Sequence, residues 1–465
     1  MVVMKFGGTS VEDAQAMAVV SSIVKSEITK SNSAPMVIVS ACAGVTNKLL
    51  TIISESENGN LREALTILEE IKKKHETIVV SLFQETPIAL KLLKKIQHVE
   101  QDIKKLLKAI HAIGECPNSL KDVVVANGEI LSSTILNEKM NLDGIKTTWI
   151  DAKLILITDD KFTRAKPLWD ISESKVNLLV RPLLDKGYVV LSQGFIGATQ
   201  KGKTTTLGRG GSDYSAAIFG SLLNASAIQI WTDVDGVLTS DPRVVPNARR
   251  LKQMTFNEAA ELAYFGAKVL HPATIQPAVT KNIPVLVLNS KRPEIEGTVI
   301  MKEIQSFDGL VKAVACKKDQ TIINLTTTNM LGTVGFFYSV AKIFNDQEIP
   351  IDMVSTSEIS ISLTVSCSYD SLNVLVKQLS TIADVKIKNK VASICVVGDN
   401  LQKSSGVASK IFQTVSENNI NIIMISQGAS ETNVGFVVEE VDADTVVRSL
   451  HKTFFSQIKE KTVFA

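Results

Sequence analysis

Cysteine pairs, histidine clusters and long apolar runs are missing from this chain, and each absence closes off a class of protein. The five cysteines (Cys42, Cys116, Cys316, Cys367 and Cys395) are scattered and never spaced as C-x-x-C. Neither a disulfide framework nor a thiolate zinc site is expected, and a reducing compartment suits them. The five histidines form no H-E-x-x-H or similar pair, so no metal held by protein ligands is expected. No apolar run approaches the roughly 20 residues that a membrane helix needs. Met1-Val-Val-Met4 runs straight into Lys5 and glycines rather than into a signal-peptide core. A formal net charge of only +2 gives no electrostatic case for nucleic acid or membrane as partner. A soluble, cytoplasmic protein is the expectation.

What is present fits several packed domains. The chain has 465 residues, 45% of them hydrophobic and 21% charged, too long for one ordinary core. In the first half, short β-prone runs (2–4, 36–39, 123–125, 188–191, 228–231 and 285–288) alternate with helical patterns such as 11–25 and 215–223. Alternation of this kind predicts an α/β sandwich around a mostly parallel sheet. One stretch departs from it. From about 61 to 113 there are no strand signals, and Leu92, Ile96, Val99, Ile103, Leu106, Ile110 and Ile113 step by three and four. They predict an inserted helical hairpin that covers the sheet edge, with a basic partner-binding arm as the alternative.

Near Ser290-Lys-Arg-Pro-Glu294 the α/β pattern stops, and the rest repeats itself. Asn329, Gly335 and Ser355 recur as Asn400, Gly406 and Ser426, each shifted by 71 positions (400 − 329, 406 − 335, 426 − 355). Each copy reads as strand, glycine loop, helix, strand, strand. The expected domains are 1–295 with a helical insertion at about 55–115, a linker at 296–309, and repeats at 310–388 and 389–465. The second repeat is expected to share strands with the segment just after the linker.

Residues 197–204, G-A-T-Q-K-G-K-T, match the phosphate-cradling loop G-x-x-x-x-G-K-[ST]. That loop requires a helix opening at the lysine. Here Lys203 is followed by Thr204-Thr-Thr206-Leu-Gly208, a β-branched run that predicts a second strand and hence a hairpin. Phosphate chemistry is better placed elsewhere. Lys5-Phe-Gly7-Gly8-Thr9-Ser10 ends a strand and opens a helix that Thr9 or Ser10 is expected to cap. Two glycines admit a phosphate to the backbone, and Lys5 adds a full charge. The stretch from Ser40 through Thr46 repeats the design, with Cys42 read as a packing thiol. Gly208-Arg209-Gly210-Gly211-Ser212-Asp213 exposes N–H groups, offers a two-pronged donor in Arg209, and has Ser212 as a helix cap. Asp213 either strengthens that cap or holds charged groups in place. Thr232-Asp233-Val-Asp235-Gly236 serves equally as an Asx turn or a nucleotide loop. Thr255-Phe-Asn-Glu258 reads as a capping box, and Lys268, taken alone, supports either a binding or a solvated role.

Together these motifs resemble the aspartokinase family along essentially the whole chain. The matching segments are KFGGTS from Lys5, SACAGVTN from Ser40, NGE from Asn127, TTTLGRGGSD from Thr204, TDVDGV from Thr232, SDPR from Ser240 and FGAKVLHP from Phe265. The terminal repeat is similar to the paired ACT domains of such kinases. The resemblance implies an amino-acid-kinase three-layer α/β sandwich followed by two ferredoxin-like ACT domains. It also implies phosphorylation of the L-aspartate β-carboxylate with ATP and Mg2+, the first step towards lysine, threonine and methionine. Carried over by motif, Lys5, Arg209 and Asp213 would be catalytic. Ser40, Thr46, Glu129, Gly210, Gly211 and Ser212 would complete the aspartate site. Lys5, Gly7, Gly8, Thr232, Asp233, Leu238, Arg243 and Lys268 would hold the nucleotide. Leu238 stands where lysine-sensitive relatives often have tyrosine.

In the first repeat, Met330, Thr333, Gly335, Phe336, Phe337, Ile351, Asp352, Ser357 and Glu358 would form an inhibitor site for L-lysine, with threonine as runner-up. That site would lie where the ACT domains of two subunits pair, in a homodimer or a tetramer. Other members of the wider kinase family would share Lys-x-Gly-Gly but lack the ACT pair. A bifunctional homoserine dehydrogenase fusion would need a further dinucleotide-binding domain. A non-catalytic amino-acid sensor would have no use for Lys5, Arg209 and Asp213 together.

Overall fold

In a computed structural model, which describes residues 1–265, 272–304, 311–327, 334–398, 401, 404–428 and 432–456, the apolar runs of the first half become strands. They are β1 (Val2–Phe6), β2 (Met36–Val39), β3 (Thr147–Ile150), β4 (Ile157–Thr158), β5 (Val189–Gln193), β6 (Ile196–Thr199), β7 (Thr204–Thr206), β8 (Ala227–Thr232), β9 (Gln253–Thr255), β10 (Val285–Asn289) and β11 (Thr298–Met301). One sheet runs β3-β5-β2-β1-β8-β10-β11-β9, and β4-β6-β7 form a small second one. From β3 to β10 all neighbours are parallel. Parallel strands are covered on both faces, which is why β1, β2 and β5 are buried at every residue. Phe6 is fully buried and stacks on Trp231 at 5.9 Å, a burial that contributes about 1.5–3 kcal/mol.

The insertion is a pair of long helices, Leu61–Phe83 and Pro87–Ile113. Leu92, Ile96, Ile103 and Ile110 are buried as their spacing predicts. The stripe frays at its end, where Leu107 rather than Leu106 is buried and Ile113 is 67% exposed. Thr86 caps the second helix by accepting from Ala89 N.

Three local expectations are corrected. The run Val123-Val-Val125 is not a strand but the last turn of the helix Asn118–Val125; packing of Val124 and Val125 into the core outweighs β-propensity. Thr9 and Ser10 lie in a 3-10 turn, Gly8–Val11, while Asp13 caps the helix Ala14–Ser31. Ser212 is not the cap, because the helix Gly211–Leu223 starts two residues earlier than that would require, from Gly210 in the left-handed region at φ 70.

The chain divides into two compact units. Met1–Val237, Lys252–Phe256 and Val269–Ile304 form one; Leu238–Leu251, Asn257–Lys268 and Gln305–Ala465 form the other. The second is built on β12 (Val311–Thr326), β13 (Met353–Thr356), β14 (Ser360–Val365), β15 (Asp384–Gly398), β16 (Met424–Ser426) and β17 (Asn433–Glu439). Their order is β13-β14-β12-β15-β17-β16. The 71-residue repeat is visible in the backbone: Gly335 and Gly406, at φ 94 and 88, each open an 11-residue helix. The two long strands pair antiparallel from Val311↔Gly398 to Thr326↔Asp384, with register shifts midway. Position 388 lies inside β15.

Parts of the first half belong to this second unit. Ser240 Oγ donates to Val314 O at 3.0 Å, and Thr239 Oγ1 lies 2.9 Å from His451 Nε2. Glu258, read as half of a capping box, forms a 2.6 Å ion pair with Lys312 in which both side chains are almost fully buried.

Candidate active site

The carboxyl ends of β2, β1 and β8 lie side by side, since Phe6 is in register with Val39 on one side and Trp231 on the other. Ligands of open α/β sheets bind beyond such ends. Gly7 N donates back to Trp231 O at 3.0 Å, and Ser40 N to Phe6 O at 3.1 Å, so two strand-to-loop junctions are tied together. Gly8 is required by close approach: a Cβ there would sit 2.9 Å from Ala41 O. The helical insertion also reaches this place, as Lys74 Nζ donates to Ala43 O at 2.9 Å.

A cavity of about 650 Å³ opens beside these junctions. It gathers residues from four distant parts of the sequence. Lys5, Gly8, Ser40, Thr46 and Glu129 line it together with Arg209 through Asp213, so every residue expected at the aspartate site shares one cavity. Lys5 Nζ meets Asp213 Oδ1 at 2.7 Å, with side chains 10% and 17% exposed. Arg209 is exposed and forms no ion pair among the described residues. Glu129 is its opposite. It is buried, its Oε2 has no hydrogen-bond partner among the described residues, and burial pushes its carboxyl up to about 8 against the pull of the Ala41 and Glu129 amides. A buried carboxylate with one oxygen lacking a donor is costly to ionise unless a cation arrives to pair with it.

Cys42 also lines the cavity. Burial pushes its thiol up to about 12, which makes it a packing group rather than a nucleophile. His75, in the insertion, is fully buried and lowered to about 4, so it stays neutral.

The residues expected at the nucleotide are spread more widely. Gly7, Thr232 and Asp233 follow β1 and β8, and Thr232 Oγ1 donates to Asp233 Oδ1 at 3.2 Å. Leu238 and Arg243 belong to the other unit, where Arg243 pairs with Asp241 at 2.6 Å. Lys268 lies outside the described residues. The hairpin at 197–204 is formed by β6 and β7, antiparallel, and Lys203 is exposed on it.

Among residues expected at the inhibitor site, Met330 and Thr333 lie outside the described residues. Gly335 precedes a helix, Phe336 packs on the core of the first repeat, and Phe337 is 51% exposed. Ser357 and Glu358 are exposed, Ser357 Oγ lying 2.7 Å from Ser360 Oγ. Asp352 is neither exposed nor free. Its side chain is 2% exposed and takes Lys317 Nζ at 2.6 Å, Ser366 Oγ at 3.0 Å, Gln320 Nε2 and, on the other oxygen, Tyr264 OH at 2.8 Å. Tyr264 OH also lies 2.9 Å from Ile351 O.

Several cavity residues have no counterpart in the sequence reading. Phe195 follows the β5 strand through Gly194 and takes a left-handed φ of 68; a glycine just after a buried strand was the available signal. Asp122 and Thr163 also line the cavity, as does Thr206, which the sequence placed only in a hairpin strand. Asp122 was hidden beside a valine run read as a strand.

A charged lysine–glycine loop at the end of a parallel sheet, opening on a pocket with its own carboxylate and guanidinium, defines a small-molecule kinase of the α/β type. The chain belongs to the amino acid kinase family, whose profile matches residues 1–289; an ACT domain profile matches 394–454. Within that family its relatives are aspartokinases. The lysine-sensitive aspartokinase 3 of Escherichia coli (strain K12) is 36% identical over 470 residues, 98% of this chain and 99% of that one. Two crystal structures of E. coli aspartokinase III superimpose over 98% of this chain at 37% identity. The complex with aspartate and ADP (R-state) gives a TM-score of 0.84 over 100% of that chain. The complex with lysine and aspartate (T-state) gives 0.81 over 99%.

Proposed function

We propose that this chain transfers the terminal phosphoryl group of ATP to the β-carboxylate of L-aspartate, giving 4-phospho-L-aspartate and ADP. The observation that carries the reading is Glu129, a buried carboxyl whose Oε2 has no partner among the described residues, sharing one cavity with Lys5 and with Arg209, which forms no ion pair among them. An α-amino acid presents an ammonium and a carboxylate together, which suits Glu129 and the Arg209 fork. Ser40, Thr46, Ser212 and the N–H groups of Gly210 and Gly211 would hold the remaining oxygens. The acceptor is already a carboxylate, so no general base is required. Catalysis is then in-line positioning and neutralisation of charge, with Lys5 acting on the phosphoryl oxygens and Asp213 fixing Lys5. Gly7, Gly8, Thr232, Asp233, Leu238, Arg243 and Lys268 make up the proposed nucleotide set.

The lysine-glycine loop suits a triphosphate, and Gly8 leaves no room for a side chain beside it. Mg2+, when bound, supplies further neutralisation of the phosphates. No group of three His, Cys, Asp or Glu side chains that could hold a metal is present among the described residues.

Feedback inhibition by L-lysine in the first repeat, a homodimer paired through the repeats, and a cytoplasmic location complete the proposal. No helix among the described residues is long and apolar enough to cross a membrane. Turnover with aspartate and ATP, followed as ADP release or as hydroxamate trapped from the acyl phosphate, tests the reaction. Arg209→Lys tests the site: the KM for aspartate should rise about tenfold or more, and that for ATP by less than about twofold. Equal losses for both substrates would overturn the assignment.

A further inference from the structure

One buried carboxylate in the cavity wall has no part in the scheme above. Asp122, on the helix Asn118–Val125, is fully buried. Its Oδ1 accepts from Thr206 Oγ1 at 2.7 Å; its Oδ2 accepts from Thr206 N at 3.0 Å and from Thr163 N at 2.9 Å. Both oxygens are therefore committed to protein donors. That pattern does not suit a group that meets substrate.

The segments it joins are informative. Thr206 ends β7, and the chain then passes through Leu207 and Gly208 to Arg209. Thr163 sits in the turn between β4 and the helix Trp169–Leu179. The turn is laid directly on the glycine loop: a Cβ on Gly208, itself at φ 79, would stand 3.0 Å from Thr163 O. Ala165 N also donates to Thr206 O at 2.9 Å. Thr163 has a left-handed φ of 69, which a β-branched residue adopts only when its surroundings impose it. The hydrogen bond from Thr163 N to Asp122 is one such constraint. Asp122, Thr163, Thr206, Gly208 and Arg209 all line the same cavity.

We infer that Asp122 is a positioning residue: it clamps the strained Thr163 turn onto the end of β7 and so fixes the loop that aims Arg209 at the amino-acid substrate. The clamp acts through hydrogen-bond geometry, not through charge. An asparagine can keep it, since its carbonyl oxygen accepts from the two backbone N–H groups and its amide donates to Thr206 Oγ1. An alanine cannot, and it leaves the buried N–H of Thr206 and the part-buried N–H of Thr163 without this acceptor.

The inference rests on the pocket being the aspartate site, and Arg209→Lys is the control for that reading. Steady-state kinetics on the full chain, at a temperature below each variant's unfolding, give the test. Asp122→Ala should raise the KM for aspartate about tenfold or more with the KM for ATP within about twofold, while Asp122→Asn stays within about threefold for both. Adding Thr163→Gly to Asp122→Ala should recover part of the aspartate KM, because glycine holds a positive φ without the clamp. A void left in the core would not be repaired in this way. If Asp122→Ala does not fold, Thr206→Val removes one of the three hydrogen bonds at nearly constant volume and should still raise the aspartate KM selectively. An unchanged aspartate KM in the folded variant, equal rises for both substrates, or no recovery with Thr163→Gly overturns the clamp. If Arg209→Lys itself shows no selectivity for aspartate, the pocket assignment fails first. If Arg209→Lys behaves as expected and Asp122→Ala does not, the clamp alone is wrong.

Discussion

Lys5 and Glu129 illustrate two ways in which a buried charge can be prepared for a ligand. Lys5 is held by Asp213, so its ammonium is fixed in place before any substrate arrives. Replacing it with alanine should lower kcat by roughly a hundredfold or more with a smaller effect on ATP binding; a near-normal kcat would remove Lys5 from the mechanism. Glu129 is instead left waiting. Its carboxyl ordinarily titrates at 4.5, and burial raises it to about 8. Between those values the folded protein holds a proton that the unfolded chain has lost. Stability from this group is therefore full below the lower value and declines as pH rises through the upper one. An ammonium bound beside Glu129 restores the carboxylate. The KM for aspartate should fall as pH rises from about 6 to 8, and the thermal shift given by saturating aspartate should grow over the same range. Glu129→Gln should abolish that dependence; an unchanged pH profile in the variant would show that another group is responsible.

At the scale of elements, the hairpin of β6 and β7 decides between two readings of one motif. Lys203 is exposed on a turn between antiparallel strands, where no helix N-terminus can assist it. Lys203→Ala should leave activity within about a few-fold, and loss of ATP binding in that variant would restore the P-loop reading. Much of the element list was legible because buried parallel strands are short, β-branched and bounded by glycine. The Lys5 and Ser40 loops, the Arg209 loop and the 71-residue repeat were legible for the same reason. Val123-Val-Val125 was not, since periodicity cannot separate a buried helical turn from a strand over three residues. The helix caps failed where a residue two to four positions away had the better geometry, Asp13 in place of Thr9 or Ser10 and Gly210 in place of Ser212. Glu258 and Asp352 also form ion pairs that the sequence reading did not foresee. Their partners Lys312, Lys317 and Tyr264 are distant in sequence, and no local pattern announces them.

Across the whole molecule, control is the least local property. Asp352 is already paired with an ammonium, that of Lys317, so a lysine effector would compete with a side chain of the protein. Lys317→Met should then lower the lysine concentration needed for half-inhibition, and Glu358→Ala should raise it, both with uninhibited kcat nearly unchanged. Lysine titrations of the two variants check this, and identical inhibition curves would take Asp352 and Glu358 out of the effector site. The same unit has a second consequence, for modular exchange. β15 crosses the boundary between the repeats and pairs with β12 from end to end, so neither repeat can be excised or transplanted alone without severing that pairing. A clean graft of the regulatory half from a relative cannot start at the apparent linker either. Leu238–Leu251 and Asn257–Lys268 travel with it, anchored by Ser240 to Val314, Thr239 to His451 and Glu258 to Lys312. Chimaeras joined near residue 300 would inherit mismatched partners at each of those contacts, and recombination between relatives should be tolerated only when all three segments move together.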